Sequence, residues 1–286
     1  MALHIRPLTP RLGARIDGVE LARPLDDATF DALYDAFLRH KVLLFPPHDL
    51  PPAAQVAFAR RFGEVQVHVM SMYHADGHPE LYRLSNLDAE GRPNGKHPDK
   101  GTLAWHTDGS WRRVTGQATI IYGEVVPDSG GETHFADMVG AYERLPPAWK
   151  ARIAHLRAVH NLDFSRTRRH GEDLMTEAQR REAPPVDQPV VRVHPETGET
   201  CLYLGDHAES IVGMPYEEGR ELIETLNALA VSHRDLIYEH RWQPRELLVW
   251  DNRSVMHKAT PYDPATQRRL VRRCTVLGEA PRGLAA

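Results

Sequence analysis

The chain has 286 residues, long for one ordinary domain and short for two generous ones, and its 41% hydrophobic and 26% charged residues exclude a disordered chain. Lys and Arg number 35 against 39 Asp and Glu, a formal charge of −4, so no basic surplus points to nucleic acid or an anionic membrane as partner. Apolar runs such as Val42–Phe45 fall far short of the ~20 residues of a membrane span, and Met1–Arg11 carries no apolar core of signal-peptide length, so a cytoplasmic protein is expected.

From the N-terminus to about Leu25 the pattern predicts short strands and turns. Asp27–His40 predicts a helix, with Phe30, Leu33, Tyr34, Phe37 and Leu38 on one face. Lys41–Phe45 predicts a strand stopped by Pro46 and Pro47, and Pro51–Phe62 a second helix ending at Gly63. Leu81–Leu84 reads as a strand. Asp88–Gly101, rich in Gly, Pro, Asn and charge, reads as a mobile loop. Gln117–Val126 is a β-rich run broken by the turn residues Pro127–Gly131.

Asp137–Leu156 then predicts mostly helix, its second part starting at Pro146 and Pro147, and Arg166–Pro185 reads as a polar, basic surface excursion. Strands are expected at Pro189–His194 and Cys201–Leu204, joined by a turn at Glu196–Gly198. Tyr216–Val231 predicts an amphipathic helix, and Leu236–Arg241, Glu246–Asp251 and Arg268–Leu277 the closing strands. Many short strands without regular βαβ alternation favour a β-sandwich or barrel with inserted helices, and no GxGxxG supports a Rossmann fold. Cys201 and Cys274 sit in apolar strand-like runs and predict buried thiols in a reducing compartment.

Histidine, with 17 residues, is the compositional outlier and flags metal or proton chemistry. In an extended strand, His-x-Asp puts an imidazole and a carboxylate on one face, where both can hold one metal ion that a distant His completes. Four such pairs occur: His74/Asp76, His97/Asp99, His106/Asp108 and His233/Asp235. Roughly one would arise from composition alone, so most are decoys. His97 and Asp99 flank a proline in a polar loop, His74 and Asp76 read as a turn, and His233 and Asp235 follow a helix onto a polar surface. His106 and Asp108 differ, being flanked by Trp105 and Trp111, although a hydrogen-bonded structural pair explains the geometry equally well. Downstream, Trp250–Arg253 follows an apolar strand, His257 comes four residues later, and Arg268, Arg269, Arg272 and Arg273 form two same-face pairs on a strand. A solvated basic edge accounts for one arginine pair; it does not account for the combination with His257.

Taken together, Trp105-His106-Thr107-Asp108, Gly130-Gly131-Glu132-Thr133, Trp250-Asp251-Asn252-Arg253 with His257, and the closing arginines resemble the Fe(II)/2-oxoglutarate-dependent dioxygenases of the taurine dioxygenase/dichlorophenoxyacetate dioxygenase family. Thr176–Gln179, Pro184–Val186 and Val193–Gly198 are more similar to the dichlorophenoxyacetate branch. The resemblance runs from about Leu12 to Gly278. It implies a mainly β fold, a double-stranded β-helix or jelly roll, as a single domain over 1–286 with a helical insertion at about 137–188.

The same resemblance implies His106, Asp108 and His257 as Fe(II) ligands and catalytic residues, with 2-oxoglutarate and O2 as co-substrates. It implies Arg269 with Thr133 as anchor for the far carboxylate of 2-oxoglutarate, and Arg273 as clamp for an acidic group on the prime substrate. The interval from His257 to the arginines is one residue longer than in the relatives, and counting from His257 would select Arg268 and Arg272 instead. Strand pairing tolerates a loop insertion better than a one-residue slip, which favours Arg269 and Arg273.

The implied reaction hydroxylates a small anionic organic substrate and releases succinate and CO2. An aryloxyalkanoate-like carboxylate is the first expectation and a sulfonate or alkyl sulfate the second. Asp108 speaks against halogenation, and Thr102, where taurine dioxygenases carry Asn, speaks against taurine. Trp105, Trp111 and Trp250 read as packing walls, Asp251 and Arg253 as a structural pair, and His68, His74 and His78 as candidates for the substrate pocket. A homo-oligomer is left open. The alternatives are a non-catalytic metal-binding jelly roll and a zinc hydrolase, the latter disfavoured because no HExxH-like base is present.

Overall fold

The computed structural model describes residues 3–284. Strands β1 (His4–Pro7) and β2 (Ala14–Asp17) lead into helix α1 (Asp27–His40), β3 (Val42–Phe45) and α2 (Pro52–Phe62). β4 (His74–Ala75), β5 (His78–Ser85), β6 (Gly116–Val125) and β7 (Thr133–Asp137) follow. Next come α3 (Met138–Glu143), α4 (Pro147–Ile153), β8 (Arg157–His160), a π-helical turn over Phe164–Arg169 and α5 (Glu177–Glu182). The chain closes with β9 (Val186–Pro189), β10 (Val191–Val193), β11 (Thr200–Leu202), β12 (Ala208–Ile211) and α6 (Tyr216–Ala230). After these lie β13 (Ile237–His240), β14 (Leu247–Asp251), β15 (Val255–Ala259), β16 (Leu270–Leu277) and β17 (Arg282–Gly283).

α1 begins where the Asp26 carboxylate accepts from the Thr29 amide at 2.8 Å. It ends at Lys41, whose φ of 63° is left-handed. α2 starts on Pro52, whose missing N–H costs nothing in a first turn, and stops at Gly63. Both helices pack on the eight-stranded sheet β1-β2-β3-β14-β6-β16-β5-β4. Phe30, Phe37, Phe58 and Phe62 form edge-to-face contacts there at 5.1–5.4 Å between ring centres.

Strand alternation divides this sheet cleanly. Leu43, Phe45, Ile120, Leu247, Val249, Cys274 and Val276 face the helices. Val42, Leu44, Ile121, Leu248, Trp250 and Val271 face the opposite way, where Phe135 and Val255 of the sheet β13-β7-β15 meet them. These two sheets are the halves of the jelly roll. The sheets β12-β8-β9 and β11-β10-β17 complete the architecture with α3 and α6 over a second core that includes Ala136, Ile153, Leu202 and Leu226.

One expectation needs refinement and another correction. Arg166–Pro185 runs largely at the surface as expected, but three of its residues turn in: Arg166 from the π-helical turn, Met175 and Ala183 are buried. His106–Asp108 is not strand: His106 forms an isolated bridge and Asp108 opens a turn. Cys201 and Cys274 are buried and free, and burial pushes both thiols up to about 12.

A buried ionic cluster ties β14 to the loop after β10. The Arg253 guanidinium donates to Asp251 at 2.7 and 2.8 Å and also pairs with Glu196, and His194 meets Asp251 at 3.0 Å. Burial alone would raise the Asp251 carboxyl, but Arg253 and then His194 outweigh it and hold the acid well below the usual carboxylate range. A depressed folded value stabilises above the unfolded pKa near ~4 and loses that contribution as pH falls toward the folded value. Arg253→Ala therefore strands a buried anion and should cost about 3–5 kcal/mol, read as a shifted urea midpoint at pH 7 that shrinks as the pH is lowered below ~4.

Candidate metal centre

The site begins with one backbone bridge. His106 N–H donates to His257 C=O and His257 N–H donates to His106 C=O, each at 2.9 Å, which adds His106 to the edge of β15. The two imidazole ring centres then lie 4.2 Å apart. His106 Nδ1 sits 2.8 Å from the Ala104 carbonyl and donates to it, leaving Nε2 with a free lone pair. The His257 ring is fixed by packing, with Trp250 at 4.5 Å and Phe135 at 6.2 Å between ring centres.

Asp108 arrives by a turn. Gly109 has φ +70°, and a Cβ there would stand 2.8 Å from the Gly116 amide nitrogen, so this position needs glycine. Thr119 donates to Asp108 Oδ2 at 2.7 Å and Arg273 Nη1 to Oδ1 at 2.9 Å. Asn252 accepts from the Asp108 amide at 3.3 Å, donates to Thr119 at 2.8 Å and accepts from the Trp250 indole at 2.9 Å. Burial raises the Asp108 carboxyl, but the Arg273 guanidinium outweighs it, with the Thr119 hydroxyl donating as well, and the acid is held well below its ordinary value. Burial, reinforced by His106, pushes His257 well below the ordinary imidazole value, so the ring is neutral.

One donor atom from each of His106, Asp108 and His257 lies within 4.8 Å of the other two, and all three residues are buried. His106 Nε2 is 3.8 Å and His257 Nε2 3.6 Å from the Asp108 carboxylate. Two neutral imidazoles and one carboxylate converging from one side are the donor set of a non-haem Fe(II) centre with open positions opposite. The residues present fit that metal. A cavity opens beside them, lined by Arg273, His68, Tyr82, Trp111 and Arg166 among others.

The model of the taurine catabolism dioxygenase TauD, TfdA family matches residues 4–275. The chain belongs to this family. It is accordingly a 2-oxoglutarate-dependent non-haem iron dioxygenase, an oxidoreductase. It is 34% identical to the (S)-phenoxypropionate/alpha-ketoglutarate-dioxygenase of Sphingobium herbicidovorans over 97% of this chain and 96% of that protein. It is 33% identical to the alpha-ketoglutarate-dependent 2,4-dichlorophenoxyacetate dioxygenase of Cupriavidus pinatubonensis, covering 98% and 99%. The crystal structure of AAD-2 in complex with Mn(II) and N-oxalylglycine superposes with a TM-score of 0.86 at 32% identity, covering both chains completely. No helix among the described residues is long and apolar enough to cross a membrane.

The TauD/TfdA candidates at the closing arginines separate by strand parity. Arg273 shares the inner face of β16 with Val271 and lies over the Tyr82 ring at 4.8 Å. Arg272 points outward, donating to the Leu50 carbonyl at 2.6 Å and pairing with Glu124 at 2.9 Å. Arg268 is exposed. Arg269 is 4% exposed and makes no ion pair among the described residues, and burial lowers its guanidinium. Its nearest aromatic partner is Tyr262, 5.9 Å to the ring centre. Thr133 in β7 accepts from the Trp242 indole at 3.0 Å, which leaves its own hydroxyl proton free to donate.

Other residues of the site were hidden from sequence reasoning. Asp99 lines the cavity, and burial followed by Arg269 pushes its loop neighbour His97 down to about 4. His207 packs at 6.0 Å from His106 and meets the Ser165 hydroxyl at 2.8 Å. Asn252, inside the Trp250–Arg253 motif, is the hub behind Asp108, whereas Asp251 and Arg253 face away from it. Of the three flagged histidines, His68 lines the cavity, His74 bonds the His68 carbonyl at 2.7 Å, and His78 lies half-buried on β5. The other decoy, His233/Asp235, sits at the surface with Asp235 bound to Arg144.

Gly109→Ala should test how far the turn governs the carboxylate. A side chain at positive φ with a backbone atom in its path costs about 1–3 kcal/mol, seen as a lower urea midpoint. The same variant should bind Mn(II) at least tenfold more weakly in a titration, because Asp108 follows its neighbour.

Proposed function

We propose that His106, Asp108 and His257 hold ferrous iron, that Arg269 with Thr133 holds the distal carboxylate of 2-oxoglutarate, and that Arg273 holds the acidic group of an aryloxyalkanoate-like substrate. The observation that carries the reading is the convergence of the three donor atoms within 4.8 Å, with Arg273 of β16 bonded to Asp108 and a second buried arginine, Arg269, just before that strand. Iron bound there would activate O2, one atom of which converts 2-oxoglutarate to succinate and CO2 while the other hydroxylates a C–H bond of the prime substrate.

The chain's own residues bind, orient and exclude water. Arg269 is a buried cation with no carboxylate of its own, and a carboxylate brought to it gains a bidentate partner instead of facing an uncompensated charge. The Thr133 hydroxyl adds a neutral donor. Arg273 has two jobs: Nη1 steadies Asp108, and the rest of the guanidinium faces the cavity. Trp111, Leu162 and Tyr82 supply apolar wall for an aryl group and keep the reacting carbon from water. The aryloxyalkanoate assignment draws on the relatives that act on phenoxypropionate and 2,4-dichlorophenoxyacetate. We take 1–286 as a single domain and, from the two free buried thiols, place it in a reducing cytoplasm.

The test is succinate formation from 2-oxoglutarate under air with Fe(II) and a panel of aryloxyalkanoates, alkyl sulfates and sulfonates. Wild type should turn over fastest with an aryloxyalkanoate, and His106→Ala and Asp108→Ala should lose at least a thousandfold. No iron-dependent succinate with any acid would favour a non-catalytic metal-binding jelly roll, and preference for the sulfates would reassign the substrate. Arg273→Ala should raise KM for the prime substrate more than KM for 2-oxoglutarate. The reverse order would reassign the two arginines.

A further inference from the structure

The cavity holds a second cation that no motif announced. Arg166 comes from the six-residue π-helical turn Phe164–Arg169, a wide turn of the kind that often marks functional positions. It is 9% exposed, lines the same cavity as Arg273, and its Nε has no hydrogen-bond partner. Its only carboxylate partner among the described residues is Glu172, at 3.4 Å. A charge-assisted contact normally closes to ~2.7–2.9 Å, so this pairing is loose. Glu172 is also shared, since its Oε1 accepts from the Lys100 amide at 3.1 Å. Arg273, by contrast, is closely paired with Asp108 at 2.9 Å.

We propose that Arg166 is a specificity-determining residue: it is the second cationic prong on the prime substrate's acidic group, and Glu172 holds it in reserve until that group arrives. This rests on the reading above, in which an organic acid enters the cavity. Arg273 lies over the Tyr82 ring at 4.8 Å, His68 packs on the same ring at 4.6 Å between centres, and Arg166 lines the same cavity as all three. His68 adds a neutral donor to them. Its Nδ1 accepts from the Met70 amide at 3.1 Å, so the ring proton is on Nε2. The arrangement offers a carboxylate two guanidinium forks and an imidazole N–H, and a substrate anion replaces a 3.4 Å contact with a close one.

The test is calorimetric binding of a phenoxyacetate to protein loaded with Mn(II) and 2-oxoglutarate under anaerobic conditions, beside the neutral amide of the same acid. Arg166→Leu should weaken the acid by roughly ten- to a hundred-fold and leave the amide within twofold, with 2-oxoglutarate affinity also within twofold. Arg166→Lys should recover part of the loss. Glu172→Gln, which frees the arginine, should move the other way and tighten the acid several-fold, so a folding defect in one variant does not decide the matter. Equal losses for acid and amide, or weaker acid binding by Glu172→Gln, would reduce Arg166 to a structural role and overturn the proposal. If wild type binds none of several aryloxyalkanoates, the substrate reading itself fails and this role with it; if it binds them and Arg166→Leu is silent, only this role fails.

Discussion

A carboxylate buried between two imidazoles sets the terms for everything around it. Asp108 is 5% exposed, and an anion taken that far from water must be matched by donors and by positive charge. Thr119 and Arg273 supply the donors, and Asn252 aligns both the Asp108 amide and Thr119. Arg273 also cancels the charge, so the pair alone is neutral. A divalent metal on the three donor atoms would leave the centre two charges positive, and a dicarboxylate co-substrate brings two negative charges. Arg269, buried and without an ion pair among the described residues, is the cation proposed to take the distal carboxylate of that co-substrate. Arg166 and Glu172 cancel each other at rest.

What was legible in the sequence was whatever repeats locally. The faces of α1 and α6, the prolines and glycine that bound α2, and the alternation of β14 and β16 all follow from period and punctuation. Strand parity also carries the distinction between Arg272 and Arg273. Cys274 and Val276 face the helices, so Arg272 lies outward with them, and Arg273 lies inward with Val271. A one-residue slip would have exchanged those faces throughout the strand.

What stayed hidden depends on chain segments distant in sequence. His106 and Asp108 were found by residue type and aromatic flanks, yet the geometry expected for them was wrong. No strand presents both side chains on one face; a bridge to His257 holds the first and a left-handed glycine delivers the second. Asn252 has no role assigned from the motif, where it stands between Asp251 and Arg253, whose charges build a structural cluster facing away from the metal site. Asp99 and Arg166 sit in segments whose composition reads as solvent-exposed. Composition describes a segment's average environment, and one inward-facing residue in a polar loop leaves it unchanged.

That division has a physical basis. The metal donors and the arginines of β16 stand on or beside paired strands, where the hydrogen-bond ladder fixes each Cβ direction and catalytic geometry tolerates little error. Apart from Arg273, the groups that would recognise the prime substrate come from connections between strands: His68 before β4, and Arg166 with its partner Glu172 after β8, beside the connection at Asp99–Leu103. Loops can change without disturbing the sheet, so one jelly roll can keep its oxidation chemistry while the acid it accepts is rewritten. The Glu172 contact to the Lys100 amide joins two of these connections, which makes the recognition layer a linked unit. A change in either connection would then shift Arg166 relative to the metal donors, and selectivity would respond before the iron site did.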